Sequence, residues 1–438
     1  MRSRRLKANI GAWLLLLACS IGSWAAEDAP KSLTIEQAVQ TALSDNLALR
    51  TARLQVQAAK ARIGAAKSGQ LPSVTVGGQY THLSNLPTFV LPPPTPVSGS
   101  IMVNDTIVGT AAARLALYTG GRVPSRVSGA EALYDASLGD LAAAEGRTAL
   151  AVRLAYYNVL LQQGQTKSDE ETLKAAKDQL DVATARFEEG TAPKFDVLRA
   201  ATQVSTAEQM LTQSENGVET SRITLNQVLG VTLNQEHSLS MPPEFAMPSE
   251  DVESLIRTGE SQRGELLAAN AQLAAAKAGI TLARSQVRPE LDISANYQFP
   301  NKSSPVQTTG WTYMVTAAWP LYDGGKAMSD VSEARAVTEQ AATNVEQVSR
   351  DIEQEVRNAY LDLQTARKDV DTAKARLQQA TEAYDVSTVR YESGVGTAVE
   401  QADSLAALAT ARSNLNRAMF GLYASYSRLQ RAIGRVTY

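Results

Sequence analysis

The sequence has one cysteine, Cys19, two histidines, His82 and His237, and aromatic residues at only 5%. Each scarcity removes a class of function. One cysteine forms no disulfide framework, and a large exported protein with its own core needs none. The histidines have no Cys or His neighbours at ligand spacing, so neither a metal site nor a His-based catalytic pair can be assembled from them. No nucleophile-base pair and no cofactor motif is present, and the chain does not read as an enzyme. An excess of positive charge is missing as well. The 42 Lys+Arg residues stand against 45 Asp+Glu, a net −3, which argues against nucleic acid as a partner. Beyond the N-terminus no apolar run of 18 or more residues occurs, so no transmembrane helix is expected. Only helices and closed barrels span a bilayer, and an exported chain of this kind is therefore soluble or part of a barrel.

The N-terminus carries the export signal. Arg2, Arg4, Arg5 and Lys7 form a basic stretch, and 10–19 is an uncharged, largely apolar run. Ser23-Trp24-Ala25 then fits small-x-small cleavage, so 1–25 reads as a secretory signal peptide. The apolar run is about half the ~20 residues a spanning helix requires. Leu16-Leu17-Ala18-Cys19 also looks like a loose lipoprotein box, with Leu17 in place of the usual small residue. Ordinary cleavage leaves no cysteine. It also removes four basic residues of the 42 and no acidic one, leaving 38 against 45 and a net −7.

What the chain has instead is an internal repeat. "LYTGGR" at 117–122 and "LYDGGK" at 321–326 lie 204 positions apart. So do Ala155-Tyr156 and Ala359-Tyr360, and so do "ARFEEG" (185–190) and "VRYESG" (389–394). Upstream the offset is 217, from "AAKARI" (58–63) and "AAKAGI" (275–280), and from Leu71-Pro72 and Arg288-Pro289. The 13-residue difference falls in the Pro-rich stretch "LPTFVLPPPTPVSG" (86–99), whose shorter counterpart is "FPNKSSPV" (299–306). Each half reads helix, strand, loop, strand, long helix, short break, helix. The segments are 26–70, 71–121 (first β-hairpin), 122–230 (first helical hairpin), 231–287, 288–325 (second β-hairpin) and 326–434 (second helical hairpin).

The strands alternate with period 2. In 311–321, Trp311, Tyr313, Val315, Ala317, Trp319 and Leu321 share one face, and in 291–299 it is Leu291, Ile293, Ala295, Tyr297 and Phe299. The first half places Val74, Val76 and Tyr80, then Ile107, Ala111, Ala113, Leu115 and Leu117, on that face. Trp311 and Trp319 are separated by roughly 26 Å along a strand, or about 20 Å of height at a tilt of about 40°. That approaches the ~25 Å apolar band bounded by aromatic girdles in outer-membrane barrels, with Tyr297 and Tyr313 as further girdle residues. A soluble sandwich with an aromatic core is the alternative.

Between Gly325 and Ser393 lie 67 residues without Pro or Gly, enough for a helix about 100 Å long. Its apolar seam is Ile352, Val356, Ala359, Leu363, Ala366, Val370, Ala373, Leu377, Ala380 and Tyr384. Steps of 4 and 3 imply left-handed supercoiling against a partner. The first-half copy keeps Val152, Ala155, Val159, Leu173, Ala176 and Leu180 but inserts Thr166 and Asp169. Gly120-Gly121 and Gly324-Gly325 end the strands and begin the helices. A phosphate cradle would require GxxxxGK[ST], and Ala327 stands where Ser or Thr belongs; these pairs read as joints, with Leu117 and Leu321 ending the apolar face and Tyr118 and Tyr322 at the membrane boundary. Gly190 and Gly394 interrupt helical patterns as helix-hairpin turns, with Pro193 in the first turn of the returning helix. Four membrane-type strands cannot close alone, since the smallest barrels have about eight. Two, three or four copies all satisfy that rule.

The order of elements, the duplication, the "LYDGGK" junction and the paired "RFEEG" and "RYESG" segments resemble the TolC-type outer-membrane efflux proteins over essentially all of 33–434. The resemblance implies a mainly α fold with membrane β: a homotrimer whose twelve strands form one barrel in outer-membrane lipid of a Gram-negative bacterium. Long antiparallel coiled-coil helices form an α-barrel through the periplasm. It implies a periplasmic adaptor and an inner-membrane pump of RND, ABC or MFS class. Carried over residue by residue, the adaptor-docking tips are Glu189-Gly190-Thr191 and Ser393-Gly394-Val395. The pore constriction is Glu400 and Asp403, with Asp196 matching Glu400, Arg199 matching Asp403, and Tyr391 retained. The family's prototype has an arginine two residues after the second tip glycine, where this chain has Gly396. The expected function is a passive exit duct without cofactors, opened by untwisting hairpins 185–197 and 389–401. The rival is an exported structural coiled coil such as an adhesin stalk or filament subunit.

Overall fold

A computed structural model describes residues 32–86, 89–90, 98–99, 103–299 and 309–436. The signal peptide with Cys19, most of the Pro-rich stretch 86–99 and most of its counterpart 299–306 lie outside the described residues. The elements run α1 (Ile35–Asp45), α2 (Leu47–Lys67), β1 (Ser73–His82), β2 (Phe89–Val90), β3 (Ser98–Gly99), β4 (Asp105–Thr119), α3 (Arg122–Glu188) and α4 (Lys194–Leu229). They continue α5 (Val252–Gln262), α6 (Gly264–Ser285), β5 (Glu290–Gln298), β6 (Gly310–Ala318), α7 (Lys326–Glu392) and α8 (Ala398–Ala432). In two pairs of helices the duplication holds to the residue. α3 and α7 are each 67 residues long and 204 apart, while α1 and α5 are each 11 residues long and 217 apart.

The sheet is antiparallel in the order β1-β4-β5-β6, with β1 and β6 as open edges. Its register puts Val76 opposite Ala111, Ala111 opposite Tyr297, and Tyr297 opposite Trp311, so one face is apolar throughout. The other face carries Thr75, Arg114, Asp292, Ser294, Asn296 and Thr316, and Arg114 Nη2 meets Asp292 Oδ2 at 3.0 Å. Trp311 stacks near Tyr313 and Tyr297, with centroids 6.0 and 5.2 Å away. At the opposite end the Trp319 indole N–H donates to the Val287 carbonyl at 3.1 Å. Aromatic groups thus bracket the apolar face at both ends.

Two details differ from the sequence expectation. The last strand stops at Ala318 rather than continuing to Leu321, because Pro320 has no N–H for a ladder and restricts the residue before it. In β4 the register slips between Ala116 and Tyr118, so Tyr118 rather than Leu117 lies opposite Leu291. Leu117 is the extra residue of a bulge, which flips the alternation expected from period 2.

The Gly pairs are joints. Gly120 and Gly121 have φ of 62° and 96°, and Gly324 and Gly325 have 73° and 87°, a region that residues with a Cβ avoid. After each pair the helix N-terminus is capped from the same repeat position. Thr119 Oγ1 accepts the Val123 N–H at 3.2 Å, and the Asp323 carboxylate accepts the Gly325 and Ala327 N–H groups at 3.0 and 2.8 Å. The Arg122 guanidinium donates twice to Glu290, at 3.0 and 3.1 Å, tying the helix back to the sheet.

Halfway along the long helices, two duplicate cores form. One gathers Val39, Tyr156, Leu225 and Leu229 where α1 meets α3 and α4; the other gathers Leu255, Ile352, Val356, Leu363 and Leu429 where α5 meets α7 and α8. The seam expected on α7 is buried at Ile352, Val356, Ala359, Leu363, Val370 and Ala373. In α3 the polar interruption is real, and Asp169 is buried with the Gln165 amide donating to it at 2.8 Å. Below the cores the helices lie side by side in the order α4, α3, α8, α7.

Candidate functional site

At the far end from the sheet, α3 turns into α4 and α7 into α8. Both turns are built the same way. Gly190 and Gly394 adopt φ of 73° and 77°. The Thr191 N–H donates to the Arg186 carbonyl at 2.8 Å and the Gly190 N–H to the Phe187 carbonyl at 3.0 Å; Val395 to Arg390 (3.0 Å) and Gly394 to Tyr391 (3.1 Å) repeat the pattern. This double bond to the last helical turn is the Schellman ending. It holds Glu189-Gly190-Thr191 and Ser393-Gly394-Val395 at the exposed apices, with Val395 among the exposed large apolar side chains.

The returning helices start differently. α8 has a complete capping box, in which Thr397 accepts from the Glu400 N–H while the Glu400 carboxylate accepts from the Thr397 N–H. α4 begins after Pro193, which supplies no side-chain cap, and Asp196 stands in its first turn where a carboxylate suits the helix dipole.

Three of the sequence-derived constriction residues, Asp403, Glu400 and Tyr391, have a basic residue beside them. Asp403 Oδ1 lies 3.8 Å from Arg199 Nη2, joining α8 to α4. Glu400 lies 3.8 Å from Arg390, besides its place in the capping box. Tyr391 is buried, and the guanidinium of Arg186 sits 4.9 Å from its ring centroid and donates to its carbonyl at 2.6 Å. Burial pushes the Tyr391 hydroxyl pKa up, the Asp196 charge adds to the rise, and Arg186 offsets part of it. That hydroxyl is buried without a hydrogen-bond partner among the described residues.

Position 396 can now be understood. A Cβ on Gly396 would lie 2.9 Å from the Arg390 Cβ and 3.0 Å from the Tyr391 nitrogen, so the turn has no room for an arginine there. The guanidinium on Tyr391 comes from the other hairpin, through Arg186. Sequence reasoning passed over Arg186 and Arg390, although the signal was present: "RF" at 186–187 and "RY" at 390–391 are the same basic-aromatic pair in each repeat. Among the described residues no group of His, Cys, Asp and Glu is arranged to hold a metal ion.

With this geometry in hand, similarity to known proteins becomes specific. The chain is 30% identical over 201 residues to the outer membrane protein TolC of Vibrio cholerae, covering 46% of this chain and 44% of that protein. It is 24% identical over 382 residues to the pyoverdine export outer membrane protein OpmQ of Pseudomonas aeruginosa, covering 85% and 78%. It matches 62% of the length of a probable efflux pump outer membrane protein, TtgC, of Pseudomonas putida at 26% identity, so the alignment spans less than two thirds of several relatives. Among solved structures, the CmeC outer membrane channel of Campylobacter jejuni superposes with a TM-score of 0.78 at 16% identity, over 98% of this chain and 94% of that one. CusC superposes with a TM-score of 0.79 at 18% identity, over 93% of each. The outer membrane efflux protein profile matches residues 38–231 and 255–435, the two repeats in turn, and the chain belongs to that family.

Proposed function

We propose that the protein is the outer-membrane exit duct of a multicomponent export system, a passive homotrimeric conduit gated at its helical tips. The sheet carries this reading. It has an apolar exposed face, a polar opposite face with the Arg114–Asp292 pair, and two unpaired edges. Unpaired edges cannot persist in a bilayer, where every backbone polar group requires a partner. Three copies supply twelve strands and pair each β6 edge with the next β1 edge. The flanks agree with head-to-tail closure: β1, α2 and α4 of the first half line one side of the subunit, and β6 and α7 of the second half line the other. The names of relatives refer to efflux and to pyoverdine export, which supports an export duct for this chain without choosing its cargo.

In this reading the aromatic groups Trp311, Trp319, Tyr297 and Tyr313 sit at the bilayer boundaries, and the helices project through the periplasm. The apices 189–191 and 393–395 dock a periplasmic adaptor, which couples the duct to an inner-membrane pump of RND, ABC or MFS class. Glu400, Asp403, Asp196 and Tyr391 line the resting constriction. Opening separates the two hairpins, breaking the Arg186–Tyr391 and Arg199–Asp403 contacts. The test is single-channel recording of purified trimer in planar bilayers. Replacing Glu400→Ala together with Asp403→Ala is expected to raise conductance and weaken cation block; unchanged values would remove the gate assignment. Heat-modifiable migration of an outer-membrane fraction is expected for the trimer, whereas a structural coiled coil would migrate as monomer without it.

A further inference from the structure

Arg199 and Asp403 are each other's counterpart in the repeat, 204 positions apart, and they touch across α4 and α8. Contact between equivalent residues is geometrically informative. Three copies with two halves each make six nearly equivalent steps of about 60° around one axis. The charged atoms of the pair lie 3.8 Å apart, so one such step joins an arginine to its aspartate counterpart.

The same operation that carries Arg199 onto Asp403 within a subunit carries Asp403 onto Arg199 of the next. We infer that Arg199 and Asp403 of three subunits close an alternating ring of six charges, in which Arg199 neutralises what would otherwise be an acidic, cation-binding girth. This rests on the trimeric duct proposed above. Two features of the single chain fit it. The Asp403 side chain is 76% exposed even with Arg199 beside it, leaving its second oxygen free for another guanidinium. An arginine presents five donors in a fixed fork and can serve carboxylates on both sides. The adjacent level, Asp196 and Glu400, is acidic in both halves. Cation binding at the tip then belongs to that level alone, and Arg199 is the residue that decides how selective the constriction is.

The experiment is conductance, reversal potential and block by trivalent lanthanum of the full-length trimer in planar bilayers. Arg199→Asp turns the alternating ring into six carboxylates. It is expected to shift the reversal potential towards cation selectivity and to lower the blocking lanthanum concentration at least tenfold. Arg199→Gln removes only the charge and is expected to move both in the same direction by less. The swap Arg199→Asp with Asp403→Arg restores alternation and is expected to return both readings to wild type. Block and selectivity unchanged in Arg199→Asp and Arg199→Gln, or a swap no better than Arg199→Asp alone, overturns the ring. Should Arg199→Asp fail to assemble, Arg199→Gln against Asp403→Asn decides, because neutralising one sign or the other must move selectivity in opposite directions. Wild-type protein that inserts no pores would instead refute the duct reading.

Discussion

The two repeats share their order of elements and their glycine turns, yet equivalent positions lie in different surroundings. α3 has neighbours on both flanks, and Ala132, Ala136, Gly139 and Ala143 are buried along its upper part. α7 buries nothing between Ala327 and Ile352, although its length and turns are the same. The joints contrast likewise. A Cβ on Gly120 would lie 2.6 Å from the Arg288 Cβ, whereas one on Gly324 meets nothing within 4 Å. At the corner before the second helix of each repeat, Asn46 caps α2 by accepting the Ala48 N–H at 2.9 Å. Its counterpart Arg263 is buried and donates to Glu265 at 3.0 Å and Glu355 at 2.8 Å, with Arg431 bound to the same two carboxylates. Duplication copied lengths, turns and glycines. The place of each half in the subunit, inner or flanking, decided what those positions touch.

The corner offers the largest break in that comparison. Arg263→Ala leaves two partly buried carboxylates to Arg431 alone and is expected to cost about 3 kcal/mol, the lower end for a broken buried pair. Asn46→Ala removes a cap and is expected to cost about 1 kcal/mol. Thermal unfolding followed by circular dichroism in detergent measures both, and equal losses would show that the two corners are energetically alike. The joints come next. Gly120→Ala combines a left-handed φ with a clash and is expected to cost about 2–3 kcal/mol, against about 1 kcal/mol for Gly324→Ala, where only the φ is unfavourable. Melting temperatures in the reverse order would place the packing at Gly324 instead.

The smallest effect is the response to acid. Burial alone would raise the Glu265 carboxyl, but the Arg263 hydrogen bonds and the Arg263 and Arg431 charges outweigh it and hold it below its ordinary value of 4.5. A lowered carboxyl stabilises the fold fully above its unfolded pKa and loses that contribution as pH falls through the folded value. Unfolding temperatures are therefore expected to drop below about pH 4 in wild type and to drop less in Glu265→Gln. A parallel decline in the variant would assign acid sensitivity elsewhere.

Much of the architecture was legible in the sequence because it depends on local rules. Period-2 alternation marked the outward face, absence of Pro and Gly marked α7, paired glycines marked the joints, and single glycines marked the tips. The bulge at Leu117 was not legible, since a register slip is settled by the partner strand. The early stop at Ala318 was readable from Pro320 but was hidden by continuing alternation. At the tips, residue types were visible and pairings were not. Arg186 reaches Tyr391 from 205 positions away, and no spacing rule predicts that meeting.

The sequence alone determined the duplication, the order of helices and strands, the apolar face and the four turning points, because each depends on neighbours within a few residues. Tertiary structure decided which copy of each repeated position is buried, and that Asp403 is paired with arginine rather than bare. It also decided that Gly396 is required by the backbone beneath it. Those outcomes depend on chain segments brought together across hundreds of residues, where side-chain reach and desolvation act only after the helices have packed.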